Sequence, residues 1–139
     1  MQAESIPNDP RWLGMLPMYH AYGQAYYATI APKCGALLYM FQKYDFGHLL
    51  MAIQKYKITT IGVVPPMMVT LAKHPDVLKF DLSSLSRVGC GAAPLSREVS
   101  RQVQERLMRG RAAGERVNLK QGWGMTEYYE LPRQRHDVG

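Results

Sequence analysis

Short apolar runs alternate with longer segments of helical periodicity along most of this chain, and this alternation constrains the fold more than any other feature. The runs of strand length are WLGMLPM (12–18), GALLYMF (35–41), KITTIGVV (57–64), SRVGCG (86–91) and RVNLKQGWG (116–124). Strands separated by helical segments of about ten residues indicate βαβ units. The sequence therefore predicts an α/β fold with a mostly parallel sheet that is covered by helices on both faces.

The helical segments carry recognisable start and stop signals. An alanine- and tyrosine-rich helix is predicted over residues 21–33, ending near Gly35. Further helices are predicted to begin after Asp45, at Pro65–Pro66 and after Ser96, because Asp and Ser cap helices and proline suits their first turn. The stretch DLSSL, at 81–85, predicts a capped helical turn.

Composition narrows the class of protein. With 139 residues, 47% of them hydrophobic and 20% charged, the chain is one globular domain or part of a larger one. Without an apolar run of membrane-span length or an N-terminal signal peptide, we expect an intracellular, cytoplasmic protein with no membrane span. Cys34 and Cys90 are expected to be free, buried thiols in a reducing compartment. A C-terminal peroxisomal address of the Ser-Lys-Leu type does not stand at the end of this sequence.

An arginine-rich segment runs from Arg97 to Arg116 and contains three glutamates, Glu98, Glu105 and Glu115. Two interpretations are open. A basic face can meet phosphate or nucleic acid, or it can be the solvated outer face of a helix. The second is favoured because the segment lacks interleaved aromatic residues for base stacking, and no nucleic-acid partner is expected.

Three loops with unusual residues follow predicted strands: PMYHAYG (17–23), GCGAAP (89–94) and QGWGMTE (121–127). Ligands of open parallel sheets bind at the carboxyl ends of the strands, and these ends lie along one edge. The sequence therefore predicts that the three loops meet at a common site.

The loop GCGAAP has almost no side chains at Gly91, Ala92 and Ala93, so its backbone can approach a ligand closely. It resembles the first part of a dinucleotide fingerprint, but the third glycine and the downstream acidic residue are lacking, which argues against a nicotinamide site. A wall for a flat ligand and a mere tight strand–helix turn both remain open.

The loop QGWGMTE combines groups that suit a nucleotide. Trp123 offers a stacking surface, Thr126 is a neutral hydroxyl donor for a phosphate oxygen, and Glu127 is a hard oxygen ligand for Mg²⁺. The alternative is a loop whose Thr and Glu cap a helix.

His20 lies between two tyrosines in the first loop. A satisfied structural histidine is one interpretation; orienting a carboxylate or closing a pocket is the other. No serine or cysteine nucleophile with its base and orienting acid can be assembled around it from the sequence.

In this order and spacing, the motifs LGMLPMYHAYG, KYKITTIGVVPPMMVTLAKHPDV, DLSSLSRVGCGAAPLSREV and QGWGMTE resemble adenylate-forming enzymes, specifically acyl- and aryl-CoA ligases of the 4-coumarate–CoA ligase type. The resemblance covers about residues 12–127, and residues 128–139 diverge from it. It implies one partial AMP-binding domain, a central piece of the family's large N-terminal domain. The implied reaction joins a carboxylic acid to ATP as an acyl-adenylate, releases pyrophosphate, and then transfers the acyl group to coenzyme A.

The resemblance also implies roles for individual residues. His20 lies near the acyl carboxylate, Thr126 holds phosphate, and Glu127 binds Mg²⁺; these three are the expected catalytic residues. The acyl pocket is expected to be lined by His20, Tyr22, Gly89, Gly91 and Gly122. ATP or AMP is expected to contact Gly91, Ala92, Ala93, Pro94, Gln121, Gly122, Trp123 and Thr126.

Two departures from the family pattern have consequences. Some relatives carry a lysine near Gly89, and its absence favours a more apolar acid over a hydroxylated aromatic one. The glycine-rich phosphate loop, the ribose-binding aspartate, the hinge and the C-terminal domain with its catalytic lysine are not among these 139 residues. The chain alone is therefore expected to be inactive or nearly so. The alternative is a non-catalytic α/β module of a truncated product, with or without a partner bound at its exposed sheet edges. Such unpaired edges also favour self-association.

Overall fold

The computed structural model describes residues 9–109, 111 and 115–122. Within these residues, five parallel strands form one sheet in the order β2-β1-β3-β4-β5. The strands are β1 (Arg11–Gly14), β2 (Leu37–Met40), β3 (Thr60–Val63), β4 (Arg87–Cys90) and β5 (Asn118–Gln121). Each lies within one of the five apolar runs, except that β1 begins one residue before its run, at Arg11. The predicted α/β fold with a parallel sheet is confirmed.

The connections between the strands are helical. One continuous segment joins β1 to β2 and consists of α1 (Ala21–Gly23), a π-helix (Gln24–Ile30) and α2 (Ala31–Lys33). The helix predicted over 21–33 is therefore confirmed, although its middle has the wider π-helical turn. The remaining helices are α3 (Phe46–Tyr56), α4 (Pro65–Lys73), a 3₁₀ turn (Pro75–Lys79) and α5 (Arg97–Met108).

The predicted helix starts are confirmed by their caps. The Asp45 side chain accepts a hydrogen bond from the His48 N–H at 2.8 Å, and Ser96 Oγ accepts one from the Val99 N–H at 3.2 Å. Each bond satisfies a backbone donor that the helix itself leaves without a partner.

The stretch DLSSL forms a single capped turn, as predicted, in which the Leu85 N–H donates to Leu82 O at 3.0 Å. Asp81 accepts from the Ser83 N–H at 3.0 Å, as a cap does. The turn does not extend into a helix because the N–H groups of Ser86 and Arg87 both donate to Thr59 O, at 2.9 and 3.0 Å. The backbone is already committed to the sheet at that point.

The sheet has helices on both faces. Alternate strand residues, among them Leu13, Ile61 and Val88, belong to one core with the buried residues of α3, α4 and α5. The intervening residues face the helical segment 21–33. On that side the Trp12 and Tyr26 rings lie 6.5 Å apart. The prediction of a sheet covered on both faces is confirmed.

The arginine-rich segment is largely engaged with the chain itself. Arg101 forms ion pairs with Glu98 at 2.9 Å and Glu105 at 2.8 Å. Arg106 donates to His74 O at 2.7 Å, and Arg111 donates to Leu85 O at 2.6 Å. These contacts favour the interpretation of this segment as an ordinary helix face.

The two cysteines differ in burial. Both are free, as predicted, and Cys90 is buried. Cys34 is half-buried, so the expectation of a fully buried thiol there is wrong. It lies at the end of α2, where the chain turns at Gly35 toward the edge strand β2.

Candidate functional site

The strand order places a switch point between β1 and β3. From β1 the chain crosses to β2 over one face of the sheet, and from β2 it returns to β3 through α3, whose buried residues belong to the core on the other face. The loops leaving the carboxyl ends of β1 and β3 therefore diverge and open a crevice, which is where ligands of such sheets bind. The loop leaving β1 carries His20.

His20 is exposed and caps the helix that follows it. Its Nδ1 accepts a hydrogen bond from the Tyr22 N–H at 3.1 Å, and its own N–H donates to Pro17 O at 3.2 Å. A neutral imidazole that accepts at Nδ1 carries its proton on Nε2. The cap thus selects the tautomer whose Nε2–H can donate to an anion.

Tyr22 lies at the centre of an aromatic group in the same segment. Its ring stacks on Tyr26 with centroids 4.2 Å apart and an interplanar angle of 14°, and it meets Tyr27 edge-on at 6.4 Å. Burial, with a smaller contribution from Tyr26, raises the pKa of the Tyr22 phenol far above its usual range. The hydroxyl is therefore a neutral donor at physiological pH.

Two glycines in neighbouring strands accommodate the Tyr22 ring. A Cβ added to Gly62 would lie 2.5 Å from Tyr22 Oη, and one added to Gly89 would lie 3.3 Å from it. The two glycines are paired across β3 and β4. Gly89 was expected in the acyl pocket, whereas sequence reasoning missed Gly62. The signal for it is a single glycine inside a β-branched strand, which often marks close approach by another group.

The three loops meet at Gly91. A Cβ added there would lie 3.8 Å from the Tyr22 ring and 3.9 Å from Gly122 O. The Gly91 N–H donates to Val63 O at 3.2 Å, and the Gly122 N–H donates to Cys90 O at 2.8 Å. The described parts of all three predicted loops are thus neighbours.

The turn after Gly91 is exposed and strained. Ala92 has a φ of 73°, in the left-handed region that costs a residue with a side chain roughly 1–2 kcal/mol. Ala92, Ala93 and Pro94 are exposed, so their backbone is open to a ligand. Strain of this kind is concentrated at functional sites.

Several expected site residues lie outside the described part of the chain. They are Trp123, Thr126 and Glu127, and their roles remain predictions. The expected Mg²⁺ site depends on Glu127 and is therefore not tested. Among the residues that the structure describes, no group of three or more His, Cys, Asp or Glu side chains is placed to hold a metal ion.

Comparison with known proteins decides the family. A family model described as AMP-binding enzyme matches residues 1–129. The chain belongs to this family. Among its relatives, the probable 4-coumarate–CoA ligase 2 of Dictyostelium discoideum is 44% identical over 115 residues, which are 83% of this chain and 20% of the relative. The peroxisomal OPC-8:0-CoA ligase 1 of Arabidopsis thaliana is 35% identical over 125 residues, 88% of this chain and 22% of the relative.

A solved structure agrees with this assignment. The red emitting luciferase of Phrixothrix hirtus is 39% identical and superposes with a TM-score of 0.65, covering 71% of this chain and 19% of the luciferase. The chain thus spans about a fifth of the length of the curated relatives it matches. Within its described residues, no helix combines the length and apolar character needed to cross a membrane.

Proposed function

We propose that this segment forms the acyl side, and part of the nucleotide side, of the active site of an ATP-dependent carboxylate–CoA ligase. The observation that carries the proposal is the meeting of Tyr22, Gly91 and Gly122 beside the switch point of the sheet. Relatives described as 4-coumarate–CoA ligases support the reaction class.

The proposed reaction has two steps. A carboxylate oxygen of the acid attacks the α-phosphorus of ATP, and pyrophosphate leaves with the electrons of the broken P–O bond. The sulfur of coenzyme A then attacks the acyl carbon, its proton is lost, and AMP leaves. His20, with its proton on Nε2, would donate to the carboxylate and hold it toward the phosphorus.

The acyl pocket would be lined by Tyr22, Gly89, Gly91 and Gly122 together with His20. Gly62 and Gly89 add no side chain to the surface around the Tyr22 ring. A lysine ammonium that could meet a ring hydroxyl does not stand at Gly89. These features support an apolar acid as the substrate rather than a hydroxylated aromatic acid.

The nucleotide side would combine the exposed Gly91–Pro94 turn with Gln121, Gly122 and the stacking ring of Trp123. Thr126 would donate to phosphate, and Glu127 would hold Mg²⁺. When bound, such an ion neutralises charge on the phosphates as it develops. ATP or AMP, Mg²⁺ and coenzyme A are accordingly the proposed cofactors and co-substrates.

The 139-residue chain alone is proposed to turn over slowly or not at all. Removing one preorganised donor typically lowers kcat on the order of 10²–10³-fold, and the family's phosphate loop and catalytic lysine are not among these residues. The test is pyrophosphate release with a panel of aryl and fatty acids. Brisk turnover by this polypeptide would refute the proposed inactivity while supporting the reaction class.

A non-catalytic α/β module is the second candidate, favoured by the sheet and core that the described residues form by themselves. Calorimetry with ATP and Mg²⁺ separates the two. The ligase segment is expected to release binding heat that Glu127→Ala reduces, whereas the module gives no heat with either chain. Equal heat from both chains would contradict the Mg²⁺ role of Glu127.

Two further properties belong to this proposal. Within the described residues β2 and β5 form the sheet edges, and unpaired edges promote self-association. Sedimentation across a concentration range is expected to show self-association; a clean monomer at high concentration would exclude it.

An intracellular location is also proposed, because both cysteines are free; one relative is described as peroxisomal.

A further inference from the structure

We infer that Gln121 is a positioning residue whose carboxamide holds the Gly91–Pro94 turn in place. The Leu95 N–H donates to Gln121 Oε1 at 3.4 Å, and Gln121 Nε2 donates to Leu95 O at 3.5 Å. The side chain thus pairs with both backbone groups of one residue, as a neighbouring strand would. The inference rests on the proposed function, because the turn belongs to the proposed nucleotide side.

The direction of the Gln121 side chain agrees with this role. Gln121 is paired with Cys90, which is paired with Val63, and both of these residues belong to the core on the α3–α5 face. Tyr22 lies on the opposite face, against Gly62 and Gly89. Since strand side chains alternate between faces, Gln121 extends toward Leu95 and away from the Tyr22 ring.

The held turn needs an anchor at each end. At its start, the Gly91 N–H donates to Val63 O at 3.2 Å. At its end, Leu95 is joined to Gln121 and is followed directly by Ser96, the cap of α5. Between these points Ala92 has the left-handed φ of 73°. A strained residue persists only where its surroundings fix it, and the Gln121–Leu95 pair fixes the far end.

The chemistry of the pair makes it testable with one substitution. A carboxamide offers an acceptor and a donor together, whereas a carboxylate offers acceptors alone. A protonated carboxyl again offers both. Gln121→Glu should therefore lose the bond to Leu95 O at neutral pH and regain it as its carboxyl is protonated, while Gln121→Ala should lose both bonds at every pH.

The experiment measures hydrogen exchange at the Leu95 amide of the 139-residue chain, with wild type run in parallel at each pH. Gln121 is exposed, so both variants should fold. We expect exchange to be faster by roughly 2- to 10-fold in Gln121→Ala, the range that corresponds to one net hydrogen bond. In Gln121→Glu the carboxylate still accepts from the Leu95 N–H, so Leu95 exchange should stay close to the wild-type rate and slower than in Gln121→Ala.

Gln42→Glu is the matched control, because Gln42 is also exposed but lies in the loop after β2. It should leave Leu95 exchange unchanged. Wild-type exchange rates in Gln121→Ala, or Leu95 exchange in Gln121→Glu as fast as in Gln121→Ala, would overturn the inference.

Calorimetry with AMP separates the inference from the proposed function. Weaker AMP binding in Gln121→Ala, with a smaller loss in Gln121→Glu, supports both. If Leu95 responds as expected but no chain binds AMP, Gln121 still positions the turn and the nucleotide role of the turn fails. If Leu95 loses protection while AMP affinity stays at the wild-type value, the positioning role for the nucleotide site is contradicted.

Discussion

Tyr22 Oη lies 2.5 Å from the position that a Cβ on Gly62 would occupy, so the phenol fills the space of the missing side chain. Gly89, in the next strand, leaves room for the same oxygen at 3.3 Å. The pair of glycines explains how a large ring on the helical segment can lie directly on the sheet at the carboxyl ends of β3 and β4.

Gly62→Ala should therefore destabilise the chain by about 1–3 kcal/mol, the usual effect of overpacking a filled site. Gly89→Ala should cost less, because its Cβ meets only the ring hydroxyl and at a longer distance. Urea unfolding measures both. In a Tyr22→Ala background the cost of Gly62→Ala should largely vanish, and an equal cost in both backgrounds would contradict the contact.

Ala92→Gly should stabilise the chain by roughly 0.5–1 kcal/mol, because glycine adopts the left-handed backbone without a Cβ clash. Ala93 is the matched control: it does not have a positive φ, so Ala93→Gly should destabilise by a similar amount through the greater freedom of the unfolded chain. Thermal unfolding distinguishes the two. Destabilisation by both substitutions would exclude strain at Ala92.

Asp81 should make stability depend on pH in the acid range. Hydrogen bonds from Ser83, followed by Lys57 at 2.9 Å, lower the pKa of the Asp81 carboxyl well below its usual range. A lowered folded-state pKa gives stability that is present above the unfolded value of about 4 and is lost as the pH falls toward the folded value.

Asp81→Asn should accordingly flatten the acid limb of a plot of unfolding free energy against pH, with less effect near pH 2 than near pH 7. Asp9 is a suitable control, because it is an exposed carboxylate that pairs with a different cation, Arg11. If the acid limb were unchanged in Asp81→Asn but altered in Asp9→Asn, the pH dependence would arise from Asp9. That result would contradict the prediction for Asp81.

His20→Asn separates the capping role of this residue from its proposed role toward the substrate. Asparagine is a good helix cap, so the variant should keep the wild-type thermal midpoint, whereas His20→Ala should lose about 0.5–1 kcal/mol. Both variants should bind a non-hydrolysable acyl-adenylate analogue more weakly, because both lack the Nε2–H donor. If His20→Asn bound the acyl-adenylate analogue with wild-type affinity, His20 would act only as a helix cap and its proposed role toward the substrate would be contradicted.

Local patterns were sufficient to predict the strands and most helix starts. The run TTIGVV and the caps at Asp45 and Ser96 act through neighbouring residues, so the sequence carries their signal directly. The π-helix carries the Tyr26 ring, which stacks on Tyr22 where Tyr22 lies against Gly62, and this contact with a distant strand is not visible in the local sequence.

The candidate site was predicted less completely, because its contacts join distant parts of the chain. Tyr22 and Gly62 lie forty positions apart, and no residue near Gly62 in the sequence indicates that Tyr22 packs against it. The Gln121–Leu95 pair likewise joins residues 26 positions apart. Sequence reasoning identified Gln121 as a ligand contact through resemblance, and only the register of β5 shows which face it occupies.

The central claim is that the first, second and third loops form one acyl-adenylate site, and chemical-shift mapping tests it most directly. The isotope-labelled 139-residue chain would be titrated with a non-hydrolysable acyl-adenylate analogue. We expect saturable shifts at Tyr22, Gly62, Gly89, Gly91 and Gly122, with little change around Lys57 and Asp81 at the opposite ends of the strands. Shifts confined to the Lys57–Asp81 end, or none at saturating analogue, would contradict the claim.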